Sequence, residues 1–203
     1  MKIALIGATG NVGTRVAAEA LSRGHQVTGI SRHPEKLAAK PGLTAERGDT
    51  AEPDALAKVL AGHDAVVSST RFQGGDARGL IAAVKKAGVK RLLVVGGAGS
   101  LEVAPGLALI DSPEFPAAYK PEASAGRDFL GILRGETELD WTFLSPSAIL
   151  APGARTGKFR LGEDRLLVGP DGNSRVSMED YAAALVDELE TPKHSRRRFT
   201  VGY

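Results

Sequence analysis

The chain has 203 residues, 42% hydrophobic and 25% charged, with 26 basic and 24 acidic side chains and no cysteine. That composition fits one globular domain with ample length for a core, and a net charge of +2 singles out no polyanionic partner. The lack of cysteine excludes disulfides, thiolate metal sites and a cysteine nucleophile. No apolar run approaches the roughly 18 residues of a membrane span. No basic segment leads into a long apolar one at the N-terminus. The expectation is a cytoplasmic protein with no membrane partner and no metal.

The first strand is the apolar run Ile3-Ala4-Leu5-Ile6. A glycine turn follows, Gly7-Ala8-Thr9-Gly10-Asn11-Val12-Gly13, then a helix from Val12 to Arg23 with Val12, Val16 and Ala20 on one face. Strand, glycine turn and helix in that order form a dinucleotide fingerprint with the spacing G-x-x-G-x-x-G. Gly7 permits the sharp turn, Gly10 leaves room for a pyrophosphate, and Gly13 lets helix and strand pack closely. The helix N-terminus then offers N–H groups and partial positive charge to the phosphates.

His25 to Ile30 is the second strand, followed by Ser31-Arg32-His33. A site for the non-phosphorylated dinucleotide places an acid there; Arg32 instead suits a ribose 2′-phosphate, so NADP(H) is favoured over NAD(H). His33, before Pro34, reads as surface. Pro34 to Leu37 reads as a short helix, and Leu43 to Arg47 as strand three. Beyond it, Asp49 and Thr50 allow two readings: an acceptor for an adenine amino group, or a helix cap ahead of Glu52-Pro53. Residues 53–61 are helical. Ala65 to Ser68 is strand four, ending in Ser69-Thr70, small hydroxyl residues across which a dinucleotide can lie.

Ala77 to Ala87 is a helix and Arg91 to Val95 a fully apolar fifth strand, ending in Gly96-Gly97-Ala98-Gly99-Ser100. Those small residues leave space for a nicotinamide or a flat substrate. From Leu101 to Glu122 no regular element of any length is expected, which suggests a lid or binding loop. Ser124 to Arg134 is a helix, and Asp140 to Leu144 a sixth strand in which Trp141 and Phe143 read as core. Residues 157–161 and 165–168 read as a hairpin around Gly162-Glu163-Asp164. Ser177-Met178-Glu179-Asp180 reads as a capping box for a helix carrying Tyr181, Leu185 and Leu189, and Arg198 to Val201 as a last strand. Arg196-Arg197-Arg198 is too short, and too poor in neighbouring aromatics, for a nucleic-acid site. Alternating strands and helices imply a Rossmann-like doubly wound parallel α/β sheet with helices on both faces. It forms a single domain over residues 1–203, with residues about 145–178 contributing a small C-terminal, substrate-side lobe.

With GATGNVG, GGAGSL, DWTFLSPS and the Ser177 to Ala182 stretch in place, the chain resembles the atypical short-chain dehydrogenases/reductases. Within them it is similar to the NAD(P)H-binding group that includes NADH-flavin reductases, biliverdin reductase B and the NmrA-like regulators. The resemblance covers nearly the whole chain. It implies cofactor contacts from Gly7 to Gly13, Arg32, Asp49, Thr50, Ser68, Ser69 and Thr70, with the Ser145-Pro146-Ser147 turn beside the nicotinamide. One departure stands out: the Tyr and Lys four residues apart that supply a proton in typical members are missing. Tyr119 is followed four residues on by Ala123, with Pro121 between them. The expected reaction is therefore hydride transfer to a flat acceptor, a flavin or a quinone, whose reduced anion takes its proton from solvent. Ser100 and Tyr119 are the candidate catalytic residues. The alternatives are a non-catalytic NADP-binding sensor of the NmrA-like type and, less favoured, a nucleotide-sugar epimerase or dehydratase. The natural acceptor and the oligomeric state are not legible.

Overall fold

The computed structural model describes all of residues 1–203. Twelve strands are present: β1 Lys2–Ile6, β2 Gln26–Ser31, β3 Leu43–Arg47, β4 Ala65–Ser68, β5 Arg91–Val95, β6 Glu102–Ala104, β7 Leu107–Ala108, β8 Asp140–Ser145, β9 Ile149–Ala151, β10 Arg160–Gly162, β11 Arg175–Ser177 and β12 Arg197–Gly202. Five helices accompany them: α1 Asn11–Ser22, α2 Pro53–Leu60, α3 Ala77–Lys86, α4 Lys120–Arg134 and α5 Met178–Glu190. Eight strands form one sheet in the order β10-β12-β8-β5-β4-β1-β2-β3, parallel throughout except β10. This is the doubly wound, Rossmann-like arrangement. β4 and β5 are buried along their whole length, which is why they read as unbroken apolar runs.

Helices cover both faces. Val16, Ala17 and Ala20 of α1 share a core with Tyr181, Leu185 and Leu189 of α5. On the other face, Leu56 and Leu60 of α2, Leu80 and Val84 of α3, and Phe129, Leu130 and Leu133 of α4 form a second core, joined by Trp141 and Phe143. Each fully buried Leu or Phe contributes about 1.5–3 kcal/mol relative to exposure. The chain reverses its winding between β1 and β4, and the crevice outside those strand ends is where such sheets bind ligands. No helix is long and apolar enough to cross a membrane.

Local departures from the expected elements have physical causes. The stretch 101–122 is not structureless: β6 and β7 pair antiparallel, and 3-10 turns occupy Leu109–Asp111 and Ala117–Tyr119. Helix α4 starts at Lys120, not Ser124, because Pro121 in a first turn sacrifices no hydrogen bond. Pro34–Lys36 is likewise a 3-10 turn. Residues 157–168 do not form the expected hairpin. β10 pairs with β12, Arg160 opposite Gly202, while Arg165 bridges to Glu102. An isolated two-stranded hairpin is marginal in water, and the open edge of β12 offers a better partner. Residues 145–178 are shared out accordingly: β10 extends the main sheet, and β9 and β11 pair with each other.

The capping box is only half made. Ser177 Oγ accepts from Asp180 N at 3.0 Å, but the Asp180 carboxylate turns away. It accepts from Thr156 N and Gly157 N, both at 2.8 Å, from Thr156 Oγ1 at 2.6 Å and from Tyr203 Oη at 2.7 Å. Burial pushes this carboxyl up, and the four donors outweigh it, holding its pKa below the ordinary aspartate value. A depressed folded-state pKa adds stability that is complete above the unfolded value of about 3.9 and is lost as pH falls through the folded one. Thermal melts from about pH 5 to 3 are expected to show a falling midpoint that is shallower in Asp180→Asn; an unchanged slope would remove Asp180 from the acid response.

A second buried charge cluster lies at the opposite end of the sheet from the crevice. Arg91 Nη1 donates to Thr142 Oγ1 at 2.7 Å and Nη2 to Glu188 Oε1 at 3.0 Å; both charged side chains are under 10% exposed. Glu188 also accepts from Lys193 N, His194 N and His194 Nδ1, at 3.0, 2.9 and 2.8 Å.

Candidate functional site

At the winding reversal, Gly7 has φ +82° and a Cβ there would lie 2.3 Å from Ser69 O. A Cβ on Gly13 would lie 2.2 Å from Gly7 O. The first and third glycines are thus required by the chain's own packing. Gly10 differs: its φ of −76° suits any residue, and a Cβ would meet only Gly7 O at 3.3 Å and Ser69 O at an ordinary 3.9 Å. Its lack of a side chain keeps clear the space in front of α1. That helix begins with no side-chain cap and no acidic residue in its first turn, so its positive end faces the crevice uncompensated.

A polar cleft of about 380 Å³ opens there. Of the residues singled out from the sequence, Gly7, Thr9, Gly10, Arg32, Asp49, Thr50, Ser69 and Thr70 line it. Asp49 Oδ1 accepts from Ala51 N at 3.0 Å, closing a turn ahead of α2; the residue at the helix cap itself is Glu52. Ala8, Gly13 and Ser68 are buried behind the cleft, with Ser68 Oγ 3.2 Å from Thr70 Oγ1. Asn11 and Val12 sit on the first turn of α1 outside the lining, Asn11 exposed and Val12 half-buried. Two further cations, Lys36 and Arg71, line the same cleft. The sequence signal for them was slight: Lys36 lies four residues beyond Arg32, and Arg71 follows Thr70. Three cationic side chains, a free helix end and a side-chain-free glycine together fit the phosphates of a dinucleotide.

A second, more apolar cleft of about 710 Å³ lies beyond the end of β5. Gly96 to Ser100, Phe72, Val103, Leu109, Phe115 and Tyr119 contribute to its walls. The loop after β4 divides the two clefts: Arg71 and Gln73 face the first, Phe72 the second. Glu122 of α4 fixes this partition by accepting from Phe72 N at 2.8 Å and Gln73 N at 2.9 Å. The Phe72 ring meets Phe129 edge-on at 5.3 Å and stacks on Phe143 at 5.9 Å.

The structure brings Ser100 and Tyr119 to the same cleft. Tyr119 is 66% exposed, at the entrance to α4, and Lys120 follows as the first helical residue, so no Tyr–Lys pair shares a face. Pro146 is buried and lines neither cleft. Sequence reasoning placed Tyr181 on a core face and missed its hydroxyl, which donates to Leu144 O at 2.6 Å and accepts from Gly96 N at 3.2 Å. Burial pushes that hydroxyl far above the ordinary tyrosine range. Tyr181 therefore ties the ends of β5 and β8 beneath the cleft and delivers no proton to it. A wider groove of about 900 Å³ between α3 and α4 lies on the helical surface, away from the strand ends.

The sequence profile of a family described as NAD(P)H-binding matches residues 7–192. The uncharacterized protein YwnB of Bacillus subtilis is 42% identical over 211 aligned positions, which take in 99% of this chain and 98% of that one. Among solved structures, a protein of Bacteroides thetaiotaomicron described as a candidate epimerase is 48% identical, with a TM-score of 0.94 over 100% of this chain and 96% of that one. A Streptococcus pneumoniae protein described as a candidate NADH-flavin reductase is 33% identical, with a TM-score of 0.83 over 100% and 99%.

Proposed function

The chain belongs to the NAD(P)H-binding family, among the atypical short-chain dehydrogenases/reductases, and on that premise we propose that it is an NADPH-dependent reductase of a flat, electron-poor acceptor, a flavin or quinone. The observation that carries this reading is the pair of adjoining clefts. One is cationic and glycine-floored; the other is apolar and holds no Tyr–Lys pair. The Streptococcus pneumoniae relative is described as a candidate NADH-flavin reductase, which agrees in the class of acceptor and differs in the dinucleotide named. When bound, a reduced nicotinamide supplies a hydride. The residues of the chain do the rest. Arg32, Lys36 and Arg71 hold the 2′-phosphate end, the first turn of α1 holds the pyrophosphate, and the walls from Phe72 to Phe115 orient the acceptor plane and exclude water. Ser100 and Tyr119 offer hydrogen bonds to acceptor oxygens. An acceptor that delocalises its new charge needs no acid tuned near neutrality, which is consistent with the sealed Tyr181. A cytoplasmic location, where reduced dinucleotide is available, belongs to the same proposal.

The rival reading is an NADP-binding sensor that uses the 101–122 segment to contact a partner; Val103 and Tyr119, exposed apolar side chains on that segment, favour it. The epimerase description of the Bacteroides relative supplies a third reading, against which the missing Tyr–Lys pair counts. Titration with NADPH and NADH, followed by FMN, FAD and a simple quinone, separates them. Tight NADPH binding with loss of reduced-nicotinamide absorbance supports the reductase; binding without turnover supports the sensor. In the same titration Arg32→Asp is expected to cut the preference for NADPH over NADH by more than about tenfold, since a charged hydrogen bond to phosphate is worth about 1.5–3 kcal/mol and repulsion replaces it. An unchanged preference would unseat the 2′-phosphate assignment.

A further inference from the structure

The basic run 196–198 reads as surface charge, yet the Arg198 side chain is turned inward and is only 3% exposed. Its guanidinium is clamped by Asp164 through Nε at 2.7 Å and through Nη2. The remaining N–H groups reach Ser100, Nη1 to Oγ at 3.3 Å and Nη2 to the backbone oxygen at 3.4 Å. A guanidinium donates five N–H bonds and accepts none. It therefore occupies a lone pair of Ser100 Oγ and cannot take the hydroxyl hydrogen. The only side-chain bond of Ser100 Oγ is this one from Arg198, in which it is the acceptor. Ser100 is half-buried in the wall of the apolar cleft, so its hydrogen is left to point into that space. A positive charge stands directly behind it, in surroundings where water screens little. Of the two carboxylates that line the same cleft, Glu122 is already engaged by Phe72 N and Gln73 N, and Glu114 is solvent-exposed; the cleft also carries Arg127, which pairs with Asp111.

We propose that Arg198 is a positioning residue that locks Ser100 as a hydrogen-bond donor, so that the wall of the cleft recognises a negatively charged oxygen on a planar ligand. The inference rests on the reading of this cleft as the acceptor site. No proton moves: the hydrogen stays on Oγ, and the oxygen it meets is an ionised enol or phenol, or one acquiring that charge. The guanidinium acts through the hydroxyl and touches no ligand. Asp164 sets the strength of the effect, because its carboxylate neutralises part of the guanidinium charge.

Two matched probes test this without turnover, by absorbance titration of the full chain: 2-hydroxy-1,4-naphthoquinone, an anion at neutral pH, and neutral 1,4-naphthoquinone. The wild type is expected to prefer the anion. Ser100→Ala and Arg198→Met are each expected to weaken anion binding about tenfold, the scale of one charge-assisted bond, and to weaken the neutral quinone by only about threefold, the scale of a neutral one. The double variant is expected to be no weaker than either single one, and Arg198→Lys to recover part of the loss. Asp164→Asn is expected to tighten anion binding. A purely structural latch between Arg198 and Asp164 predicts the opposite sign, and weakening of both quinones by the same factor. Unchanged anion preference in Ser100→Ala, or an Arg198→Met effect that persists in full on the Ser100→Ala background, overturns the proposal. Should Arg198→Met not fold, Ser100→Ala and Asp164→Asn decide the matter alone. Turnover without anion preference sinks this inference and leaves the reductase standing; anion preference without turnover does the reverse.

Discussion

Gly10→Val is expected to give a folded protein that has lost dinucleotide binding by at least about 100-fold, or nearly 3 kcal/mol. The three glycines of the turn look equivalent in sequence and are not equivalent in space. At Gly7 any side chain meets Ser69 backbone, and the positive φ adds strain; at Gly13 it meets Gly7 backbone. Both substitutions act on the fold. Gly10 has ordinary backbone angles, one tight neighbour, Gly7 O at 3.3 Å, and one at ordinary contact distance, Ser69 O at 3.9 Å. A side chain there extends into the cleft in front of the α1 N-terminus, where phosphates need backbone N–H groups within about 3 Å. Replacing glycine at this cap position costs about 1 kcal/mol or less of helix stability. The expected pattern is a melting temperature within a few degrees of wild type, an unchanged far-ultraviolet dichroism spectrum and no NADPH response by calorimetry or fluorescence. Retained affinity in a folded variant would show that the ligand does not pass over Gly10.

Glu188→Gln is expected to lower stability by about 3 kcal/mol while leaving dinucleotide affinity intact, because it removes the nearer and more buried of the two carboxylates that face Arg91 and leaves only the half-exposed Asp140, at 3.4 Å. Arg91 has nowhere to go: its side chain is enclosed between β8 and α5, and its Nε already lacks a partner. Arg91 Nη2, Lys193 N and His194 N all donate to Oε1, which the amide oxygen can replace, and the amide nitrogen then faces His194 Nδ1, so the loss is mainly of charge. For a domain of this size the midpoint should drop by about 10 °C. The Glu188 cluster sits at the far end of the sheet from both clefts, so binding at a temperature where the variant is folded should match wild type. A loss of under about 1 kcal/mol would mean that water or relaxation compensates the charge.

The parts of the fold written locally were legible. β1, β4 and β5 are enclosed on both faces and so appear as unbroken apolar runs; Gly7, Gly10 and Gly13 announce the turn because strand, turn and helix are contiguous. Arg32 was found by its place after β2. What escaped depends on partners distant in sequence. The alternation in residues 157–168 says that strands form but not with whom, and β10 found β12 forty residues away. β6 and β7 are too short for any period to show. Tyr181 falls at a helical core spacing, and nothing nearby in sequence reveals that its hydroxyl meets Gly96 and Leu144. Arg198 was hidden inside a run of like residues whose neighbours face elsewhere.

The loop from Arg71 to Gln73, held at one point by Glu122, is a wall common to two clefts. Thermodynamic linkage then constrains the two affinities. Whatever factor an occupant of the cationic cleft contributes to acceptor affinity through that wall, an acceptor must return to dinucleotide affinity by the same factor. An order of addition seen in steady-state experiments would therefore reflect access to the clefts, and Glu122→Ala should weaken the mutual factor while sparing each affinity measured alone.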